Sequence, residues 1–402
     1  MNQIETNNLT LNFECLQKVL NYIPINQRLK MRELNAFIDQ AVCSTSIPLS
    51  MDQIQDENFQ PKEVNTLLSK FIKPQEIVFP NINARDLQEL VIPKDLSELI
   101  KFDSFYISEI PLEYIEKVIS ESPKLKSFGY KNKNNDNLNN LSKILAKVQI
   151  CEIKVGDWNQ QIKDIIIQQA DNLQSITIEK GNDEILKDLI QLNDNMKNSV
   201  SNDNSEHQKQ EQNELSRKLN LKEIKFNSYE CSSNQQESMQ IFQSLLNQQN
   251  LKVFHFGIVE GEYQDQCILL KENFFSYLKE IQELRFGFKD QNLLTKVQLQ
   301  KLDLLILCGI DFKKDNFQWL MKQAKLFNKI DLRECSFNFA FTDSIDKVEQ
   351  NEKMVDVYVN TKITDQCSCQ LAQFQYNNIW INFIFPFLYD LDEELELQTQ
   401  KK

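Results

Sequence analysis

The sequence has little glycine and little histidine: only 7 Gly and 2 His occur among 402 residues. The glycine-rich phosphate loops GxGxxG and GxxxxGK are absent, and so are HExxH and GxSxG. His207 lies in a polar stretch, and His255 has no recognisable Cys or Ser motif beside it. Cys367 and Cys369 would give a metal two thiolates, whereas a structural zinc needs four ligands. These absences predict a chain without a catalytic residue, a cofactor or a metal site, and so not an enzyme.

Charge and hydropathy exclude further classes. The chain carries 58 acidic and 45 basic residues, a formal net charge of −13, which does not favour a nucleic-acid partner. Its longest apolar run, 379–389, is about half a membrane span, and residues 1–25 lack the pattern of a signal peptide. The 9 Cys are scattered and odd in number, as a reducing compartment permits. We therefore expect a soluble cytoplasmic protein, with the nucleus left open, that binds neither nucleic acid nor membrane.

One six-residue phrase recurs along the chain. It reads LKEIKF at 221–226, LKVFHF at 251–256 and IQELRF at 281–286, at intervals of 30 residues (251−221 and 281−251). The same apolar pattern begins at 87 (LQELVI), 125 (LKSFGY), 150 (ICEIKV), 173 (LQSITI), 327 (FNKIDL) and 354 (MVDVYV). Near residue 300 two registers fit, LQKLDL from 299 and LDLLIL from 302. A period of this length predicts a repeat architecture.

The spacing within each phrase predicts a strand. Its fourth and sixth residues share one face, and the fifth points the other way. Segments with helical spacing lie between phrases, such as the one containing Met239, Phe242 and Leu245. The fifth position is often charged, which predicts one solvated face. That pattern argues against a doubly wound sheet or a barrel, whose strands are buried on both faces.

This alternation resembles the leucine-rich repeat family over residues 64–391. The resemblance implies an α/β solenoid of strand-turn-helix repeats around a curved parallel sheet. The family usually has Asn or Cys at the ninth position of the repeat, where this chain has Tyr229, Val259 and Lys289, and only Cys335 fits. The polar segment 193–217 is predicted to be a disordered insertion, and 392–402 a polar, acidic tail.

Residues 9–42 do not share the repeat. Leu16, Val19, Leu20 and Ile23 form an apolar stripe with helical spacing that stops at Pro24, and a second amphipathic stretch follows. The sequence of this segment resembles the F-box motif. Residues 43–63 are predicted to be a linker. The residues that carry the resemblance are Leu11, Glu14, Leu16, Tyr22, Ile23, Pro24, Leu29, Arg32 and Leu34. Asn12 and Asn35 replace the Pro and Cys common in the family, and no Trp follows.

The F-box resemblance implies a Skp-type adaptor as partner. The adaptor-binding residues would be Leu11, Leu16, Val19, Leu20, Ile23, Pro24, Leu29 and Leu34. The alternative is a helical cap that only covers the first repeat, since short helices bury too little surface to fold alone.

A second binding surface is predicted on the concave face, which repeat proteins commonly use for partners. Lys225, His255 and Arg285 occupy the fifth position of successive phrases, and Lys222 and Lys252 the second. This basic stripe predicts a site for an acidic or phosphorylated protein substrate. The alternative is that glutamates at third positions, Glu223 and Glu283, neutralise the stripe.

Together the two resemblances imply a non-catalytic substrate receptor of a cullin-type ubiquitin ligase. Its N-terminal helices would hold the adaptor, and its repeat face would hold the protein to be ubiquitylated. The alternative is a structural leucine-rich repeat scaffold with no ubiquitin role.

Overall fold

The chain divides into two compact units, Met1–Leu173 and Gln174–Lys402. The structure is a computed structural model. It describes residues 16, 19–20, 23, 31, 34, 36–43, 47–48, 69, 74–79, 91–104, 110–131, 138–201, 219–337, 339, 355–360, 373–376 and 379–384. Within that part of the chain, both units alternate strands with helices.

The strands of the first unit are all parallel and pair in chain order, β1 to β5. Helices follow β3, β4 and β5. The described elements are α1 (Ala36–Cys43), β1 (Ile47–Pro48), β2 (Glu76–Val78), β3 (Lys101–Asp103), α2 (Leu112–Ser120), β4 (Ser127–Tyr130), α3 (Leu138–Leu145), β5 (Glu152–Val155) and α4 (Gln160–Gln168).

The second unit continues the same alternation with longer strands, in the order β6-β7-β8-β9-β10-β12-β14-β16-β15. All pairs in this sheet are parallel except β15 with β16, and β11 pairs separately with β13. The elements are β6 (Ser175–Asn182), α5 (Asp183–Ser201), β7 (Glu223–Glu230), α6 (Gln235–Gln248), β8 (Val253–Glu260), β9 (Glu283–Phe288), β10 (Leu302–Cys308), β11 (Asp311–Phe312), α7 (Lys314–Gln323), β12 (Phe327–Arg333), β13 (Ser336–Phe337), β14 (Val355–Asn360), β15 (Gln373–Tyr376) and β16 (Ile379–Ile384). Short 3-10 segments connect β8 to β9 and β9 to β10.

The recurring phrase is the core-forming unit of this sheet. Its fourth residues lie opposite one another in neighbouring strands, as Ile224, Phe254 and Leu284 do. Fourth and sixth residues are almost fully buried throughout β7, β8, β9, β10, β12 and β14. The predicted strand-and-helix alternation and the inward face of the phrase are confirmed. Parallel strands in chain order with intervening helices make this an α/β fold compatible with a repeat-like architecture.

Helices cover the inward face of the sheet through their apolar stripes. In α6, Met239, Phe242 and Leu245 are buried, as the helical spacing predicts. Phe242 packs edge-on against Phe254 of β8, with ring centroids 4.8 Å apart. Such edge-to-face pairs add to the burial of apolar area. The aromatic phrase residues of β8 thereby fix α6 on the sheet.

Buried glutamines at helix ends satisfy backbone groups where the chain enters a strand. Gln169, just after α4, accepts a hydrogen bond from the Ile150 N–H at 3.0 Å and donates to the Leu145 carbonyl at 2.8 Å. Gln249, just after α6, accepts from the Leu221 N–H at 2.9 Å. Each N–H belongs to the first residue of a phrase. Buried backbone groups need such partners, and the sequence pattern gave no sign of these glutamines.

The phrase at 87 was predicted to be a strand, and its described residues Val91 and Ile92 lie instead in an irregular segment. The sheet uses two segments that the pattern missed, β2 and β3. Register places Pro74 and Ser104 at phrase positions that are otherwise apolar. Ser104 is fully buried because its hydroxyl donates to the Gly129 carbonyl at 3.0 Å.

The predicted segment boundaries also change. Helix α5 runs through Ser201, so 193–201 is helical and not part of a disordered insertion. Asn193 and Met196 are buried, and Asn193 accepts a hydrogen bond from the Leu219 N–H. The rest of the predicted insertion, 202–217, lies outside the described residues, as does the tail 392–402. Within the predicted linker 43–63, Ile47–Pro48 already pairs with β2.

Candidate protein-binding surfaces

The outward face of the second unit's sheet carries the predicted stripe. Lys225 of β7 lies opposite His255 of β8, and His255 lies opposite Arg285 of β9. The predicted side-by-side arrangement of these three residues is confirmed. Because neighbouring strands are about 4.8 Å apart, their side chains form one row, which we call the central row. Third-position residues, including Glu223 and Glu283, form a parallel row on the same face.

The central row is less solvated than the phrase predicted. His255 is only 7% exposed and Asp331 only 9%, while Lys225 and Arg285 are half-buried. Side chains on adjacent strands cover one another and pair, which removes them from water. The expectation of a fully solvated face is therefore wrong for this unit.

Glutamates at third positions pair with two of the three residues of the central row. Lys225 Nζ lies 2.5 Å from Glu223 Oε2, two residues earlier on the same strand. His255 Nε2 lies 2.7 Å from Glu283 Oε1 on the neighbouring strand. This is the alternative that the third-position glutamates left open, and it accounts for Lys225 and His255.

His255 is neutral near pH 7 because burial lowers the pKa of its imidazole below the ordinary 6.5, despite the opposing hydrogen bond with Glu283. That hydrogen bond in turn lowers the pKa of Glu283. A neutral imidazole beside a carboxylate must donate its Nε2–H. The pair therefore carries the negative charge of Glu283.

Arg285 differs from its neighbours in the central row. Its Nε is buried and has no hydrogen-bond partner. Its guanidinium lies beside the thiol of Cys308 on β10. Burial raises the pKa of that thiol, and the hydrogen bond from Arg285 partly opposes the rise.

The second-position lysines do not join the central row. Lys222 and Lys252 precede β7 and β8 and end on exposed polar partners: Lys222 donates to Gln174 Oε1 at 2.9 Å, and Lys252 lies 2.7 Å from Glu280 Oε2. They lie at the entry to the strands.

Register settles the choice near residue 300 in favour of LDLLIL. Leu305 lies opposite Leu284, so the fifth position is Ile306, opposite Arg285. Asp303, the fifth position of the other register, is exposed and accepts from Asn328. The charged row is therefore interrupted at β10 by an apolar residue that is 1% exposed.

Beyond β10 the face includes residues that the phrase did not single out. Arg333 donates to Asp331 at 2.8 Å, and Lys329 Nζ lies 4.0 Å above the ring of Tyr358. The phrase at 327 ends before Arg333, and spacing within one strand does not show that Lys329 reaches Tyr358 on the next strand.

The N-terminal helices bury one side of their apolar stripe. Leu16 and Leu20 form a cluster with Ala41 and Val42 of α1, and Ile23, Met31 and Ile38 pack against it. Val19, Leu34 and Phe37 remain 53%, 65% and 46% exposed. Leu11, Pro24 and Leu29, also predicted to bind an adaptor, lie outside the described residues.

The predicted absence of a metal site concerns Cys, His and carboxylate side chains. No group of three or more His, Cys, Asp or Glu side chains in the described ranges is placed to hold a metal ion. Cys367 and Cys369 lie outside those ranges. No described helix is long and apolar enough to cross a membrane.

Comparison with protein-family models and with curated proteins gave no match for this chain. The candidate surfaces therefore rest on the residues themselves.

Proposed function

We propose that this protein is a non-catalytic substrate receptor of a cullin-type ubiquitin ligase. Its F-box-like N-terminal helices dock a Skp-type adaptor, and the outward face of its leucine-rich-repeat-like sheet holds a protein substrate. The transfer chemistry belongs to the partner subunits.

The observation that carries this proposal is the division of the N-terminal stripe into two sides. Leu16 and Leu20 hold the helices together, while Val19, Leu34 and Phe37 present apolar surface outward. A contiguous apolar patch formed by these side chains would be an interaction surface. A helix that served only to cap the repeats would have no need of apolar residues on its outer side.

The test is capture of a purified Skp-type adaptor by the full chain. Val19→Asp with Leu34→Asp should reduce capture by at least about 100-fold, because docking would bury unpaired carboxylates at a cost of several kcal/mol. Ile100→Asp is the matched control, since Ile100 is an exposed apolar residue outside the N-terminal helices. Leu16→Asp or Leu20→Asp would disrupt the buried cluster itself and so would not separate docking from folding.

Undiminished capture by the double variant, or no capture by the wild type, would remove the adaptor from the proposal. The structural scaffold would then be the better description of the chain. Circular dichroism and thermal melting of each variant establish that the repeats remain folded.

A further inference from the structure

Two buried thiols of the second unit contact each other. Cys231 directly follows β7, and Cys267 lies among the 3-10 segments that connect β8 to β9. Both side chains are buried, and their thiols form a hydrogen bond with one another. Neither sulfur belongs to a disulfide. The fold thus brings together two thiols that are distant in the sequence.

Hydrogen bonds hold the backbone on both sides of this contact. Gln235, the first residue of α6, donates from its side-chain amide to the Cys267 carbonyl at 2.9 Å. The same amide accepts a hydrogen bond from Lys271 Nζ at 3.3 Å. Because α6 begins shortly after Cys231, one joint between two neighbouring repeats positions both cysteines. A disulfide requires closely spaced cysteines, and this joint supplies that spacing.

The two thiols flank the buried carboxylate of Asp183. This carboxylate accepts a hydrogen bond from the Tyr229 hydroxyl at 2.5 Å. The hydrogen bond with Cys267 and burial raise the pKa of the Cys231 thiol, and the charge of Asp183 acts in the same direction. Cys231 therefore keeps its proton at neutral pH. Among the described residues no set of three or more side chains around the pair could hold a metal ion, so we consider the chemistry open to two thiols alone.

We propose that Cys231 and Cys267 are a peroxide-sensitive dithiol site, in which hydrogen peroxide converts the two thiols to a disulfide that cross-links the β8–β9 connection to the end of β7. A thiol reductant reverses the reaction. This inference is independent of the proposed receptor function, because it concerns a joint between two repeats and requires no binding partner.

The oxidation takes place in two steps. One sulfur attacks a peroxide oxygen, so that an S–O bond forms, the O–O bond breaks and water leaves with the thiol proton. The other sulfur then attacks the resulting sulfenic acid, so that the S–S bond forms, the S–O bond breaks and a second water leaves with the remaining thiol proton. Together the two sulfur atoms lose two electrons, and the peroxide gains them.

Access to the pair limits the size of the oxidant. Cys231 retains 6% exposure, whereas Cys267 retains 1%. Hydrogen peroxide is nearly as small as water, so it can reach sulfur atoms that a bulky disulfide reagent cannot. Because the raised pKa of Cys231 keeps the thiolate fraction low, the reaction should be slow at neutral pH.

The test is peptide mapping of the full, folded chain after exposure to dilute hydrogen peroxide. Free thiols are alkylated after denaturation, and linked peptides are identified by mass spectrometry. We expect a Cys231–Cys267 link whose rate of formation increases from about pH 7 to about pH 9, as the thiolate fraction grows. Cys308 and Cys335 are the matched controls, because they are also buried and their thiols contact Arg285 and backbone carbonyls instead. Both should be recovered alkylated.

The cross-link should also change thermal unfolding. A disulfide restricts the unfolded chain, so the Tm of the oxidised protein should exceed that of the reduced protein by at least about 5 °C. Dithiothreitol should remove the shift. Cys267→Ser should lose both the link and the shift, and so should Cys231→Ala, which leaves a small apolar side chain. Cys308→Ser is the matched control and should keep both.

Recovery of Cys231 and Cys267 as free thiols from the folded, peroxide-treated protein would overturn the proposal. Oxidation of Cys308 and Cys335 at the same rate would also overturn it, since that result would indicate general unfolding and no particular site. A cross-linked protein whose Tm equals that of the reduced protein would refute the stabilising effect of the disulfide.

Discussion

His255 and Glu283 form a hydrogen bond between adjacent strands, with Nε2 and Oε1 2.7 Å apart. Burial keeps the imidazole neutral, and the carboxylate accepts its N–H. The pair lies in the middle of the outward face of the second unit. It links the stability of that sheet to pH.

We expect the free energy of unfolding to fall as pH decreases through about 6.5. The folded-state pKa of His255 is lowered, so the unfolded chain binds a proton that the folded chain does not. A single such group gives a slope of at most about 1.4 kcal/mol per pH unit. Urea unfolding measured from about pH 8 to about pH 5.5 gives this slope at pH values above those at which Glu283 titrates.

His207→Gln is the control, because His207 and His255 are the 2 histidines of the sequence. His255→Gln should flatten the slope, whereas His207→Gln should leave it unchanged. An unaltered slope in His255→Gln would mean that other groups produce the pH dependence.

The first unit contains an ion pair that spans an intervening strand. Lys154 Nζ of β5 lies 3.3 Å from Asp103 Oδ2 of β3, and Gly129 of β4 lies between them. A Cβ at Gly129 would overlap the Asp103 carboxylate. We therefore expect Gly129→Ala to displace that carboxylate and destabilise the unit by about 1–3 kcal/mol.

A double-mutant cycle measured by urea unfolding checks this expectation. Gly129→Ala should cost less in the Asp103→Ala background, because the group that it displaces is gone. Additive effects would show that the alanine acts through the backbone of β4.

Asp183, the first residue of α5, joins this helix to β7 and α6. Its buried carboxylate accepts hydrogen bonds from the Tyr229 hydroxyl at 2.5 Å and from the Ser238 hydroxyl. Burial, with Asp183 as a further cause, raises the pKa of Tyr229 well above its usual value, so the phenol remains a donor. Asp183→Ala should cost about 1–3 kcal/mol, because it leaves the Tyr229 hydroxyl buried without a partner.

Tyr229→Phe should cost less than Asp183→Ala, since Asp183 keeps the bond from Ser238. Ser232→Ala is the control, because Ser232 contacts Ser238 and not the carboxylate. Chemical unfolding of the three variants gives the ranking, and a Tyr229→Phe cost above that of Asp183→Ala would contradict it.

The buried amide of Gln169 should stabilise the entry to β5. Gln169→Leu removes the acceptor of the Ile150 N–H and the donor to the Leu145 carbonyl. We expect a loss of about 1–3 kcal/mol and faster hydrogen exchange at the Ile150 amide. Gln168→Leu is the matched control, because Gln168 is exposed. Equal exchange rates in the two variants would assign no role to the amide.

The boundary of the polar segment is open to a direct test. Met196 is buried in α5, so Met196→Ala should cost about 2–5 kcal/mol as for a core residue. Replacing 205–215 by a shorter Gly and Ser linker should change the free energy of unfolding by less than about 1 kcal/mol. The opposite ranking would restore the predicted boundary at residue 193.

Regular spacing let the sequence predict most strands of the second unit. In LKEIKF, LKVFHF and IQELRF the apolar residues recur with one period, and burial of one strand face requires that period. The adjacency of Lys225, His255 and Arg285 followed from the same argument. The periodicity argument missed β2 and β3, because Pro74 and Ser104 stand where the phrase has apolar residues. Ser104 can be buried because it forms a hydrogen bond to a neighbouring strand.

The sequence by itself determined the strand-and-helix alternation, the inward residues of the phrase and the row formed by Lys225, His255 and Arg285, because each depends on periodicity along one segment. Only the tertiary structure decided the LDLLIL register, the pairing of Lys225 and His255 with glutamates, and the contact of Arg285 with the Cys308 thiol. These depend on which side chains meet across strands and on how much water they lose. No local spacing encodes that, because partners such as His255 and Glu283 are distant in the chain and come together only when the sheet forms.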